Sequence, residues 1–358
     1  MSTQSFIIAE AGVNHNGQLE MAVELVDCAA LAGANCIKFQ TFDAKLLVSA
    51  NAPKADYQSR RTDADESQQD MLQKLQLSRD AHVEIMKRCA DQNIRFLSSP
   101  FDQSSLRLLT EDLGLKQIKL GSGELTNAPL LIDVARTDAE IILSTGMATL
   151  SEVEEALGVL AFGMLATSEP SSRKDFADVL SNSAAWSTLA ERVTLLHCTT
   201  EYPAPVAETN LRAMDTLRTA FGLRVGYSDH TNGAAVSIAA IARGAEVIEK
   251  HFTLDRTLPG PDHAASLEPA ELQSLVRDIR AVESALGSGV KQPGPSEMAN
   301  REIARKSLHA ARDISRETPI RSEDLTTMRP GTGISPMSYW DSLGTFTSRD
   351  TASGEMLT

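Results

Sequence analysis

The chain has 358 residues, which at roughly 150 residues per domain suggests about two domains. Its 42% hydrophobic and 23% charged residues are ordinary for a globular protein, and no apolar run reaches the ~18 residues that a membrane span needs. With 34 basic against 48 acidic side chains the net charge is −14, which argues against nucleic acid or an anionic membrane as partner and demands a local cation cluster for any anionic substrate.

The first residues, Met1 to Phe6, carry no basic segment and run straight into a strand-like stretch, so no signal peptide is expected. Short β-branched runs then alternate with longer amphipathic segments. The predicted strands are Phe6–Glu10, Cys36–Thr41, Ile94–Ser99, Gln117–Ser122, Ile141–Thr145, Thr194–Thr199, Arg224–Ser228 and Val247–Phe252. Predicted helices between them include Leu19–Ala32, Arg79–Gln92, Ser104–Leu113 and Ser151–Leu160, the last with Ser151 as N-cap and Glu154 completing a capping box. Gly33, Gly114 and Gly244 stand where helix C-caps are expected. Two connections are long: Phe42–Ser78 reads as a polar functional loop and Phe162–Glu191 as a mobile insertion. Cys28, Cys36, Cys89 and Cys198 are scattered through apolar stretches without a C-x-x-C pair, as buried thiols of a reducing compartment. A cytoplasmic enzyme is expected.

Eight βα units fit a TIM (β/α)8 barrel over residues 1–286 better than an open doubly wound sheet. The helix Pro269–Leu286 closes it, residues 287–298 read as a Gly/Pro-rich linker, and 299–358 form a small module with a short strand at Ser307–Ala311. At about 60 residues that module is marginal by itself.

Barrel enzymes work at the C-terminal ends of the strands. The polar strand residues gather there: Glu10 and Asn14-His15-Asn16, Lys38 and Gln40, Ser98 and Ser99, Lys119, Ser122 and Glu124, Ser144-Thr145, His197 with Thr199 to Tyr202, Ser228-Asp229-His230, and Glu249-Lys250-His251. Ionised groups in apolar strands cost several kcal/mol unless paired or used, so packing alone does not account for them. Lys38 and Lys119 point inward as a patch for phosphate or carboxylate, or outward, snorkelling between barrel and helix. His230 and His251, on adjacent strand ends, are spaced to share a divalent cation; a histidine satisfied by a carbonyl is the competing reading, and His15, His197 and His263 compete for the role. Asp262 is a turn residue or orients a ligand. Cys198 carries no mark of a nucleophile.

The stretches Ile7-Ile8-Ala9-Glu10-Ala11-Gly12-Val13-Asn14-His15-Asn16-Gly17, Ile37-Lys38-Phe39-Gln40-Thr41, Ser99-Pro100-Phe101-Asp102, Gly121-Ser122-Gly123-Glu124, Ser144-Thr145-Gly146-Met147, Glu201-Tyr202-Pro203, Gly226-Tyr227-Ser228-Asp229-His230 and Glu249-Lys250-His251-Phe252-Thr253 together resemble the sialic acid synthases. Gly260-Pro261-Asp262-His263 continues the likeness, and the tail, with Arg329-Pro330-Gly331-Thr332-Gly333, resembles their antifreeze-like (SAF, β-clip) domain. The resemblance implies condensation of phosphoenolpyruvate with an N-acetylated amino-sugar aldehyde, with manganese or magnesium held at His230 and His251. It implies that Lys38, Lys119, Ser122 and Ser144 hold phosphoenolpyruvate, that Glu10, Gln40, Glu124 and Tyr202 position the sugar with Asp262 close to the metal, and that Ser99 and Thr200 also bind substrate. Glu10 is the implied base for water, with Glu124 and Glu249 as alternatives. Arg329 is implied to reach the N-acetyl group in a neighbouring subunit's site, in a domain-swapped homodimer.

The stretch Ala52-Pro53-Lys54-Ala55-Asp56-Tyr57-Gln58 resembles the N-acetylneuraminate branch, so N-acetylmannosamine is the first sugar expected. The legionaminate branch, with 2,4-diacetamido-2,4,6-trideoxymannose, is the alternative and pseudaminate the third. A Schiff-base aldolase using Lys119, a carbohydrate-binding protein with an inert barrel, and a metal-dependent hydrolase are the readings from other classes.

Overall fold

A computed structural model describes residues 4–49, 52–55, 59, 62 and 66–358. The chain divides into two compact units, Met1–Leu286 and Gly287–Thr358.

In the first unit, β1 (Phe6–Gly12), β2 (Cys36–Thr41), β3 (Arg95–Pro100), β4 (Gln117–Leu120), β5 (Glu140–Ser144), β6 (Val193–Cys198), β7 (Arg224–Asp229) and β8 (Val247–His251) form one parallel sheet in the order β3-β2-β1-β8-β7-β6-β5-β4. Pairing of β1 with β8 curls the sheet into the expected eight-stranded barrel, with β3 and β4 as its edges. The period-2 alternation of each strand then builds two layers. Ile8, Cys36, Leu97, Ile142, Leu196 and Val247 point inward and form an apolar plug. Gly226 belongs to that layer because a Cβ there would lie 2.4 Å from the Val247 carbonyl oxygen and 2.7 Å from Leu196 Cδ2. Two residues on, toward the C-terminal pole, the same faces carry Glu10, Lys38, Ser99, Ser144, Cys198, Ser228 and Glu249. The opposite strand faces pack Ile7, Ile37, Ile118, Ile141, Leu195 and Val225 against the helices as the main core. Each such fully buried side chain contributes about 1.5–3 kcal/mol.

Several helix boundaries differ from the sequence reading. The helix after β5 runs Leu150–Leu165, and its N-cap is Thr149, not Ser151: Thr149 Oγ1 accepts from Glu152 N–H while Glu152 accepts from Thr149 N–H. Thr149 succeeds because Ser151 already sits inside the first turn. The helix after β3 is Gln103–Arg107 and continues as a wide π turn, Leu108–Asp112. Phe42–Ser78 is not all loop: Ala44–Leu47 and Gln68–Leu75 are helical, and Met71, Leu72 and Leu75 pack on Val13, Phe42 and Ala44. Phe162–Glu191 likewise contains the helices Lys174–Val179 and Ser183–Arg192, anchored by Phe176, Ala185 and Leu189 in the core. Gly33, Gly114 and Gly244 adopt φ of +80°, +69° and +85°, the left-handed conformation of a helix C-cap.

The first helix of the second unit, Pro295–Ala304, begins within the stretch read as linker, 287–298, and runs on into the module. β9 (Ser307–Ala310) and β10 (Leu325–Met328) pair antiparallel, and Leu308, Ile320, Leu325 and Leu357 form a small core. All four cysteines are free thiols; Cys28 is half-buried and the others are buried. No helix among the described residues is long and apolar enough to cross a membrane.

Asp102 ties the β2 and β3 loops together. Its carboxylate accepts from Asp43 N–H (2.9 Å), from Ser105 N–H (2.8 Å) and Ser105 Oγ (2.7 Å), and from Ser104 Oγ. Burial pushes its pKa up, but these hydrogen bonds win and hold it below the usual value. A depressed folded-state pKa gives stability that is present above the unfolded value and lost as pH falls. Asp102→Ala should therefore cost about 1–2 kcal/mol in urea unfolding at pH 7. The gap to wild type should shrink as pH drops below about 3.9, and a pH-independent gap would show that the charge is not what acts.

Candidate active site

The charged layer above the apolar plug encloses a cavity of about 270 Å³. Its wall includes Glu10, Lys38, Gln40, Ser99, Lys119, Ser122, Ser144, Thr200, Tyr202, His230, Glu249 and His251. The inward orientation of Lys38 and Lys119 is thus settled. Each is at most 4% exposed, far too deep to snorkel.

The floor is an alternating chain of charges. Lys38 Nζ lies 2.6 Å from Glu10 Oε2 and 3.7 Å from Glu249 Oε2, and Lys119 Nζ lies 3.4 Å from Glu249 Oε1. Lys38 also donates to Ser99 Oγ at 3.3 Å, and Ser228 Oγ donates to Glu249 Oε1 at 2.8 Å. Burial raises the Glu10 pKa to about 8; Lys38 opposes the shift and the neighbouring Glu249 charge adds to it. Burial would raise Glu249 too, but Lys119 and Lys38 on either side hold it at about 2. Lys38 is held charged by its two carboxylates against the cost of burial, whereas burial lowers Lys119, which has one close carboxylate. Glu249 is the strut between the two cations.

Beside this floor is a cradle of small groups. Gly146 N–H donates to Ser122 Oγ at 2.9 Å, and Ser122 Oγ lies 3.1 Å from Cys198 Sγ. A Cβ on Gly146 would come within 2.3 Å of Thr200 Oγ1 and 2.8 Å of Ser122 Oγ. Ser144 Oγ and Thr200 Oγ1 are buried with no hydrogen-bond partner among the described residues. Buried orphan hydroxyls next to two lysines are what an anion with several acceptor oxygens would satisfy.

On the β7–β8 side the His230 and His251 rings lie 5.5 Å apart, and the Tyr202 ring packs at a tilt on His230, centroids 4.2 Å apart. His230 Nδ1 donates to the Thr199 carbonyl at 2.6 Å, which leaves Nε2 as the lone-pair nitrogen. His251 Nδ1 is buried without a hydrogen-bond partner among the described residues. Burial holds both imidazoles neutral, His230 at about 4 and His251 well below its usual value. Two neutral imidazoles with available lone pairs suit a divalent cation whose remaining positions go to substrate or water. No group of three or more His, Cys, Asp or Glu side chains converges in metal-binding fashion among the described residues.

The competing histidines lie outside the cavity lining, although His15 Nε2 is also buried without a hydrogen-bond partner among the described residues. His15 Nδ1 accepts from Gly17 N–H, His197 Nε2 bonds the Thr209 carbonyl, and His263 bonds Thr253 and Asn16. Glu124 and Asp262 are buried but outside the cavity lining. Asn127 donates to Glu124 at 2.7 Å, and burial pushes Asp262 up to about 6 while Lys38 draws it down. Arg329 lies in the second unit. Asp229 and Lys250 face away from the cavity and pair at 3.1 Å with no exposure; Asp229 also accepts from Thr231 and Ser237. That pair anchors the backbone immediately before His230 and His251. Leu47, Val48, Gln68 and Leu72 line the cavity without having stood out in the sequence. Of the stretch that resembles one sugar branch, Asp56, Tyr57 and Gln58 lie outside the described residues.

Residues 25–291 match the NeuB family and residues 305–358 the SAF domain. The chain belongs to the NeuB family. It is 49% identical to the N,N'-diacetyllegionaminic acid synthase of Campylobacter jejuni, over 99% of both chains. It is 42% identical to the protein of the same name in Legionella pneumophila, over 99% of this chain and 94% of that one. The crystal structure of the N-acetylneuraminic acid synthetase of Leptospira borgpetersenii, in complex with citrate, superposes with a TM-score of 0.66 at 32% identity, over 83% of this chain and 90% of the other. As a NeuB member with synthases along its whole length as relatives, the protein is an enzyme.

The strut can be tested without a substrate. Glu249→Ala leaves two buried lysines facing one remaining carboxylate and should destabilise the fold by about 3–5 kcal/mol in urea unfolding. Glu249→Ala combined with Lys119→Met should recover part of that loss. If the single variant is as stable as wild type, Glu249 does not hold the cations together.

Proposed function

We propose that the protein is an N,N'-diacetyllegionaminate synthase, which condenses phosphoenolpyruvate with 2,4-diacetamido-2,4,6-trideoxymannose and releases phosphate. The observation that carries this reading is the 49% identity along the full length to a protein of that name, with 42% to a second. It reverses the order of sugars taken from motifs alone, so that N-acetylmannosamine becomes the second candidate. The motif-based order rests on the stretch around residues 52–58, which the two branches share closely, and so it ranks the sugars poorly.

Lys38 and Lys119 hold the phosphate and carboxylate of phosphoenolpyruvate, with Ser99 and the orphan hydroxyls around Gly146 completing their shells. Glu249 keeps both lysines in place through its two oxygens. Gln40, Thr200 and Tyr202 line the space left for the sugar. A divalent cation, manganese or magnesium, fits His230 and His251 and when bound would act as a Lewis acid on the sugar aldehyde.

Carbon 3 of phosphoenolpyruvate bonds to the aldehyde carbon, and the aldehyde oxygen takes a proton. A water oxygen bonds to carbon 2 and its proton passes to a carboxylate. The bond from carbon 2 to the phosphate oxygen then breaks, its electron pair leaving on phosphate, and loss of the hydroxyl proton gives the 2-keto acid. Glu10 is the carboxylate assigned to the water: it lines the cavity, and its Oε1 approaches the Gly12–Gln40 edge while Oε2 holds Lys38. Glu249 is occupied by Ser228 and two lysines, and Glu124 lies outside the lining.

With manganese, phosphate release should show kcat/KM for the diacetamido sugar at least about tenfold above that for N-acetylmannosamine. Equal or better use of N-acetylmannosamine would move the protein to the neuraminate branch. Gly146→Ala should raise KM for phosphoenolpyruvate by at least about tenfold, and the crowding it causes should cost about 1–3 kcal/mol of stability without unfolding the protein. For the metal, calorimetric manganese affinity should fall at least about tenfold in His251→Ala, and unchanged affinity would remove His251 as a ligand.

A further inference from the structure

The cavity has two unlike sides. In the strand order β3-β2-β1-β8-β7-β6-β5-β4, the connections after β2 and β3 lie across the barrel from β6 and β7. The β6–β8 side carries Thr200, Tyr202, His230 and His251. Among the described residues the facing rim is apolar apart from Gln68: Leu47 and Val48 stand at the end of the helix after β2, Leu72 beside Gln68 on the helix Gln68–Leu75, and Phe101 after β3. Leu72 is fixed from behind by Val13, Phe42, Ala44 and Met71, while Leu47, Val48 and Phe101 are only half-buried and turn their free surface to the cavity. An aldohexose with hydroxyl groups along its whole length gives such a rim nothing to cover. A sugar with a methyl group at carbon 6 does.

On the assignment of substrate made above, we infer that Leu47 and Val48, backed by Leu72, form the specificity wall that reads the 6-deoxy carbon of the amino sugar. The aldehyde at carbon 1 belongs at the imidazole pair, and an open hexose chain running across the barrel brings carbon 6 to the opposite rim. A methyl group there completes the apolar contact. A hydroxyl in its place would be set against the Leu47 and Val48 side chains, neither of which can hydrogen-bond to it, and burying a polar group against such a surface is unfavourable. The wall thus selects by what it cannot hydrogen-bond, while the polar floor is indifferent to carbon 6.

The test compares two sugars that differ only at carbon 6: N-acetylmannosamine and 2-acetamido-2,6-dideoxymannose. In phosphate release with phosphoenolpyruvate and manganese, wild type should favour the 6-deoxy sugar in kcat/KM by roughly 10- to 100-fold. Val48→Thr, nearly isosteric, and Leu47→Asn should each reduce that ratio by about tenfold or more, chiefly through the 6-deoxy sugar. A structural effect would lower kcat/KM for both sugars alike and leave the ratio intact; thermal melts of both variants show whether the fold is kept. If wild type prefers the diacetamido sugar to N-acetylmannosamine but both folded variants retain the 6-deoxy ratio, the wall is wrong and the substrate assignment stands. If wild type prefers N-acetylmannosamine, the assignment fails and the wall fails with it.

Discussion

Four charges in the order Glu10, Lys38, Glu249, Lys119 set the terms for the rest of the first unit. Each ion buried this deeply costs several kcal/mol, and mutual attraction returns that cost only with good geometry and further hydrogen bonds. Here the geometry comes from the barrel itself. Lys38 stands opposite Glu10 in the β1–β2 register, and Glu249 stands two residues from His251 on β8. Glu249, ionised between the two lysines, and Glu10, raised by burial beside Lys38, offset only part of the lysines' charge, so the layer keeps a positive character. It still leaves lysine protons, orphan hydroxyls and imidazole lone pairs facing one cavity. That combination suits an anionic substrate in a protein whose net charge is −14.

The layering follows from strand periodicity. An apolar plug of Ile8, Cys36, Leu97, Ile142, Leu196 and Val247 closes the barrel below the charged floor and keeps water from entering beneath it. Residues that alternate with the floor face the helices, and there a fully buried ion pair, Asp229 with Lys250, braces the strand ends next to the two imidazoles. Polar strand ends thus divide by parity: one set makes the cavity and the other holds it rigid. Both sets are buried, so burial alone does not distinguish them.

Much of this was legible in the sequence. β-Branched runs marked all eight strands to within one or two residues, and polar strand ends pointed to the correct pole. Side-chain parity was less legible: His197, Asp229 and Lys250 sit in the same motifs as cavity residues yet face outward. The two long connections read as loops because their helices are short, and Ala44–Leu47 or Lys174–Val179 spans too few turns to display periodicity. The apolar rim escaped notice because leucine and valine in a connection look like packing until a cavity is seen in front of them. The choice between two sugars rested on a stretch shared by related branches, and full-length similarity favoured the other.

The proposed activity depends on the lysine-lined floor holding phosphoenolpyruvate while carbon 2 is attacked by water. Phosphoenolpyruvate carrying oxygen-18 in the bridge between carbon 2 and phosphorus tests it directly, with the diacetamido sugar and manganese present. Cleavage between carbon and oxygen sends the label out with phosphate, and mass spectrometry of the released phosphate should find it there in full. Unlabelled phosphate, with the heavy oxygen kept in the keto acid, would mean attack at phosphorus and contradict the mechanism.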